Sequence, residues 1–167
     1  MNAIELLKSQ HRDLTRLTSA FRERSGDDDR QEAFNALADA LVVHMTLEEK
    51  CFYPAVLNAD TGHKLRQSVE EHLSIKRETA DLLATAIDDE SFDAKLAVLE
   101  EQVELHVADE EKELFPMALE LLGSQELERL AVSMRDLAQE LEDDGAPRDN
   151  VFSEISHAAR LDFEHAR

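Results

Sequence analysis

The sequence predicts an all-α protein, an up-down-up-down four-helix bundle with a C-terminal helical extension. Three observations carry that prediction. Gly26, Gly62, Gly123 and Gly145, the only four glycines, stand where helical periodicity breaks, as helix-ending or turn glycines do. Between them apolar residues recur at helical spacing over long stretches. β-branched runs are scarce, tryptophan is absent and Tyr53 is the only tyrosine.

The first helix is expected over roughly 3–24. The second is expected over roughly 29–53; "GDDD" opens it with acids that suit a helix N-terminus, and Pro54 stops it. The third runs over roughly 62–87. The fourth runs over roughly 92–121, with Ser91 as N-cap after "DDE" and Pro116 as a kink or break. Short connections make consecutive helices antiparallel neighbours. These four helices form a bundle over residues 1–122. The extension, 123–167, is expected to hold a helix near 125–142, a break at "DDGAPRD" and a last helical piece near 150–165. It either caps the bundle or forms a subunit interface, and thereby a homo-oligomer.

The 167 residues are enough for one substantial core. Eighteen Lys and Arg stand against 38 Asp and Glu, a formal net charge of −20. Such a surface repels nucleic acid and anionic lipid. Cys51 is the only cysteine, so no intrachain disulfide forms. The start "MNAIELLKSQHRDL" lacks the apolar centre of a signal peptide, and no apolar run approaches membrane-spanning length. The expected location is the cytoplasm.

One pattern occurs twice. "HMTLEEKCFYP" at 44–54 aligns with "HVADEEKELFP" at 106–116. Upstream, "HRDLTRL" from His11 pairs with "HLSIKRE" from His72. In an antiparallel pair, residues equidistant from the connecting loop lie at one height. His11 and His44 flank the first loop with equal arms, as His72 and His106 flank the "DDE" loop, so all four reach one level. Each falls among apolar positions of its helix: Leu7 and Leu14, Leu41 and Leu47, Val69 and Leu73, Leu99 and Val103. Glu48 and Glu110, at i+4 from their histidines, share the inward face. Glu49 and Glu111, at i+5, are expected to face solvent or a neighbouring helix.

Four imidazoles and two carboxylates inside an apolar bundle need compensation, since unpaired buried carboxylates are costly. A pair of cations supplies it. His11 and His44 would serve one ion, His72 and His106 the other, and Glu48 and Glu110 would span both. A solvent-derived bridge could complete the centre. Coordination chemistry alone admits iron, manganese or zinc. The Glu-x-x-His template of ferritin-like sites fails, because Val69 and Val103 stand three residues before His72 and His106. HExxH and Gly-rich phosphate loops are absent.

His11, "HMTLEEKCFYP", "EEHLSIK" and "HVADEEKELFP" together resemble the hemerythrin-like family, the hemerythrin HHE cation-binding domain, over roughly 1–122. The resemblance implies two non-haem iron ions and suggests dioxygen, nitric oxide or peroxide as the small ligand. The sequence departs from the oxygen carriers twice. Lys76 stands where they place a second histidine on the third helix, and the last carboxylate is Glu110 at i+4 rather than an Asp at i+5. The ligand set therefore reads as symmetric. That disfavours simple oxygen carriage and favours redox chemistry or sensing. A catalase-like peroxide-consuming enzyme and an iron storage or delivery protein are the alternatives.

Neighbouring residues carry weaker signals. Lys76 either reaches its metal or snorkels to solvent, and Thr15, its counterpart, bonds a ligand or its own backbone. Tyr53 is read as helix-end packing and Cys51 as a small buried hydrophobe. Glu70 and Glu71 either support His72 or are solvated. His63, His157 and His165 are read as surface residues.

Overall fold

The computed structural model describes residues 1–162. Every regular element among them is helical. None of those helices is long and apolar enough to cross a membrane. α1 (Ala3–Arg22) starts from Asn2, whose side chain accepts from the Glu5 amide while Glu5 accepts from the Asn2 amide; this reciprocal cap satisfies two otherwise orphaned donors. α2 (Asp27–Leu47) opens with three aspartates in its first turn, which offset the positive end of the helix dipole.

After Leu47 the helix widens into a π turn, Glu48–Phe52, then resumes as α3 (Tyr53–Val56). Pro54 therefore does not stop the helix where the sequence predicts. In the widened turn the Tyr53 amide reaches back five residues to the Glu48 carbonyl, and a break in the i→i−4 ladder is where a proline is tolerated. The repeat does the same: α4 (Gly62–Ala84) leads to α5 (Phe92–Asp109), a second π turn, Glu110–Leu114, and α6 (Phe115–Asp143). Pro116 sits in the first turn of α6 without breaking it. The break falls at Gly123, at φ 69° and ψ 172°.

Beyond Gly123, Leu127, Ala131 and Met134 pack into the same core as Ala3, Ile4 and Leu7. A 3₁₀ segment, Pro147–Ser153, overlaps the start of the last helical piece expected near 150–165; residues 154–162 form no regular helix, and 163–165 lie outside the described residues. Val151 is buried with Val42 and Ala80. Asp39 accepts from the backbone and guanidinium of Arg148 at 2.9 and 2.6 Å, and Arg77 donates to the Ile155 carbonyl at 3.0 Å. The chain after α6 thus lies along α2 and α4.

The core forms two main apolar bodies. One holds Leu7, Val43, Leu47, Phe52, Leu65, Val69 and Phe115. The other holds Leu14, Leu41, Ile75, Leu99 and the ring cluster Phe21–Phe34–Phe92. His11 lies between Leu7 and Leu14, and His72 between Val69 and Ile75. The histidine layer is therefore sandwiched between two dry cores.

A Cβ at Gly123 would meet no neighbour, but the backbone there is in a region that side-chain-bearing residues avoid. Gly123→Ala should lower the unfolding free energy by about 1–3 kcal/mol, read as a lower urea midpoint at unchanged m-value. An unchanged midpoint would mean the chain bends elsewhere without cost.

Candidate metal centre

All six residues singled out by the repeat meet in one layer. His11, His44, His72, His106, Glu48 and Glu110 are each at most 4% exposed. Their facing atoms form two groups spaced as metal ligands are: His11, His44, Glu48 and Glu110, and Glu48, His72 and His106. Glu48 Oε2 lies 3.4 Å from His44 Nε2, 3.1 Å from His72 Nε2 and 3.8 Å from His106 Nε2. Glu110 Oε2 lies 3.4 Å from His11 Nε2 and 3.6 Å from His106 Nε2.

The outer nitrogen of each ring is held by another side chain. His11 Nδ1 donates to Glu111 at 2.8 Å, His72 Nδ1 to Glu49 at 2.9 Å, His106 Nδ1 to Glu71 at 2.8 Å and His44 Nδ1 to Gln10 Oε1 at 3.0 Å. These oxygens only accept, so the Nδ1 atoms carry protons, and a ring in its neutral form turns its Nε2 lone pair inward. Glu49 and Glu111 therefore do not simply face solvent. They reach across to the histidine of a neighbouring helix, with crossed symmetry: Glu49 of the first copy holds His72, and Glu111 of the second holds His11. Gln10 and Glu71, each one residue before a histidine, hold the other two. Glu70 is exposed.

Tyr53 is a correction. At nine residues after His44, an unbroken α-helix would carry it half a turn off the ligand face. The π turn inserts one residue, rotating the next turn of helix back by about 100°. Tyr53 thereby enters the layer fully buried. Its hydroxyl donates to Glu110 Oε1 at 2.8 Å and lies 3.2 Å from His72 Nε2 and 3.4 Å from Glu48 Oε2. Its ring stacks on His72 at 5.4 Å between centroids. Phe115, its counterpart, stacks on His11 at 5.7 Å. The proline after each aromatic is the sequence sign that a regular helix does not run on.

Lys76 neither reaches the layer nor snorkels. Only 4% exposed, its ammonium pairs with Glu49 at 2.7 Å and Glu154 at 2.9 Å. Thr15 is exposed and bonds the His11 carbonyl. Cys51 is half-buried against the Leu7–Phe52 core. His63 and His157 are exposed; His165 lies outside the described residues. The sequence suggests a symmetric ligand set, whereas the two groups are unequal: Glu48 belongs to both and Glu110 to the His11–His44 group alone. A groove of about 300 Å³ opens beside His11, walled by Leu14, Thr15, Leu99, Val103 and Glu111.

The electrostatics are those of an anion-rich layer. Burial pulls His106 down, but Glu110, Glu48 and Glu71 outweigh it and hold its pKa well above the ordinary value. The same balance raises His11 and His72. Burial dominates at His44, whose pKa falls to about 3. Glu48 opposes its burial through His44, His106 and His72 and titrates well below the usual carboxylate range, whereas burial and the Glu48 charge raise Glu110. Burial and both carboxylates keep the Tyr53 phenol protonated. Even so, His11 Nε2, His44 Nε2, Glu48 Oε1 and Glu110 Oε2 are buried without a hydrogen-bond partner.

The sequence profile of the hemerythrin HHE cation binding domain matches residues 2–118. The chain belongs to that family. It is similar to the crystal structure of a hemerythrin HHE cation binding domain-containing protein from Mycobacterium kansasii, with a TM-score of 0.76 and 22% identity over 96% of this chain and 95% of that one. At that identity the likeness establishes the shared fold. No curated protein matches.

Tyr53→Phe removes the hydroxyl that donates to Glu110 Oε1. Metal-free Tyr53→Phe protein should unfold about 1–3 kcal/mol more easily than wild type. Equal urea midpoints would show that Glu110 finds another donor.

Proposed function

We propose that the chain is a non-haem di-iron protein that binds two iron ions and reacts with or senses dioxygen, nitric oxide or peroxide. One observation carries the reading: four Nε2 lone pairs and two carboxylates converge in a dry layer, several with no partner. His72 Nε2 and His106 Nε2 stand 3.0 Å apart. Two lone pairs at that distance repel unless positive charge lies between or beside them. In metal-free protein the raised histidine pKa values supply protons; a cation pair satisfies more of the acceptors at once.

The donor set fits iron, for which imidazole and carboxylate are ordinary ligands. His11 and His44 would hold one ion, His72 and His106 the other, and Glu48 and Glu110 would join them. Bound iron would supply electrons for redox chemistry with a small oxidant. The rest falls to the chain itself. Glu111, Gln10, Glu49 and Glu71 orient the rings and strengthen them as donors. The two apolar cores exclude water. The groove beside His11 offers a small neutral molecule an approach. Tyr53 holds a proton on Oη in contact with Glu110, His72 and Glu48; as a buried proton donor beside a redox centre it favours a second reading, peroxide consumption. Storage or delivery of iron requires no such donor.

Anaerobic protein should take up two ferrous ions. Adding dioxygen, peroxide and nitric oxide in turn, with the visible spectrum followed, separates the readings. A band that reverses on degassing indicates carriage, and oxygen evolved from peroxide indicates turnover. Slow irreversible oxidation with neither would leave storage. His106→Ala and Glu110→Ala should lose bound iron and melting temperature together, because metal binding to the folded state stabilises it. Full iron content in both variants would refute the assignment.

A further inference from the structure

We propose that Glu154, on the segment after the last helix, is a positioning residue for His72: it holds Lys76, which holds Glu49 where that carboxylate accepts the His72 Nδ1 proton, so that docking of residues 147–155 and metal occupancy beside His72 favour one another. The inference rests on the di-metal reading above. It extends that reading to a part of the chain outside the matched residues 2–118.

The contacts are continuous. Glu154 Oε2 is buried and lies 2.9 Å from Lys76 Nζ. Lys76 Nζ donates to both Glu49 oxygens, at 2.7 and 2.9 Å. Glu49 Oε1 accepts from His72 at 2.9 Å. Along the relay the side chains of Glu154, Lys76, Glu49 and His72 are 31%, 5%, 10% and 0% exposed, so the three inner groups are nearly dry. Charged groups held this dry depend on their partners, and loss of one leaves the next uncompensated.

The segment is anchored on both sides of the relay, by Arg148 on Asp39 and by the Ile155 carbonyl on Arg77. Glu154 is therefore presented by a docked strap rather than a free tail. Among the described residues the other half of the centre has no such wiring. Glu111, which holds His11, is 40% exposed, and Thr15, in the place of Lys76, bonds its own backbone. The extension thus contacts the relay on one side of the layer only, among the described residues. If the docked strap strengthens binding there, binding must strengthen docking by the same factor.

The test uses the full chain with Co(II) as probe, in wild type, Glu154→Gln and Lys76→Met. Co(II) uptake is followed by visible absorption and calorimetry, and amide exchange over 147–155 is measured with and without metal. Wild type should bind two ions, with exchange in the segment slowed about tenfold on loading, a coupling of ordinary size. Glu154→Gln should weaken one ion about three- to tenfold and leave the other unchanged. That is below the about 10–100-fold loss typical of a residue touching the ligand directly. The exchange protection gained on loading should shrink by the same factor, and Lys76→Met should reproduce both effects more strongly. Two wild-type-like affinities and full protection in Glu154→Gln would overturn the coupling. So would equal weakening of both ions with a lower melting temperature of the metal-free variant, the signature of a merely structural role. Wild type that binds no Co(II) would overturn the metal centre itself.

Discussion

Mutual repulsion of buried acceptors is the constraint on which the rest of this structure depends. Four imidazole lone pairs and two carboxylates face one another across one layer of the bundle, and His72 Nε2 approaches Glu48 Oε2 to 3.1 Å. In water each would be solvated. Between two apolar cores each must find a proton or a cation, because an unmet buried acceptor costs on the order of 1–3 kcal/mol. The oxygens behind each Nδ1 make this stricter: a ring whose proton is held outward keeps an inward lone pair. The layer is organised to receive positive charge, and the side chains that organise it lie mostly outside it.

The π turns make that layer possible. Each begins at the carboxylate, four residues after its histidine, so His44 and Glu48, or His106 and Glu110, stay on one face as in any α-helix. The inserted residue then shifts the phase of the next helical turn. It swings Tyr53 and Phe115 inward to stack on His72 and His11. A glutamate in each widened turn reaches the histidine of another helix, so the two copies of the motif brace each other's half of the site. Neither helix pair could complete its own set of Nδ1 partners from its turn alone.

The bundle, the level of the four histidines and the inward carboxylates are legible in the sequence, because they depend on α-helical spacing and on the symmetry of the repeat. The residues beyond the start of each π turn are not. Extrapolating 100° per residue past Glu48 sends Tyr53 to packing and Glu49 outward, and one inserted residue reverses the first. Glu49 and Glu111 are further hidden because their partners lie on other helices. The prolines read as stops from sequence, yet they mark irregular turns. The sequence reading places a helical piece near 150–165, but the segment is anchored on Asp39, Arg77 and Lys76, which no local pattern encodes.

A repeated motif whose two copies stand in different surroundings gives the layer two unlike halves. Duplication supplies equivalent ligands, and substitution outside the layer then differentiates them. Tyr53 against Phe115 places the only phenol among Glu110, His72 and Glu48. Lys76 against Thr15 neutralises the carboxylate behind His72, while the one behind His11 stays partly in water. The groove opens on the His11 side. The groove and the tie to the C-terminal segment thus lie on opposite halves of the layer, the phenol hydroxyl on the His72 side.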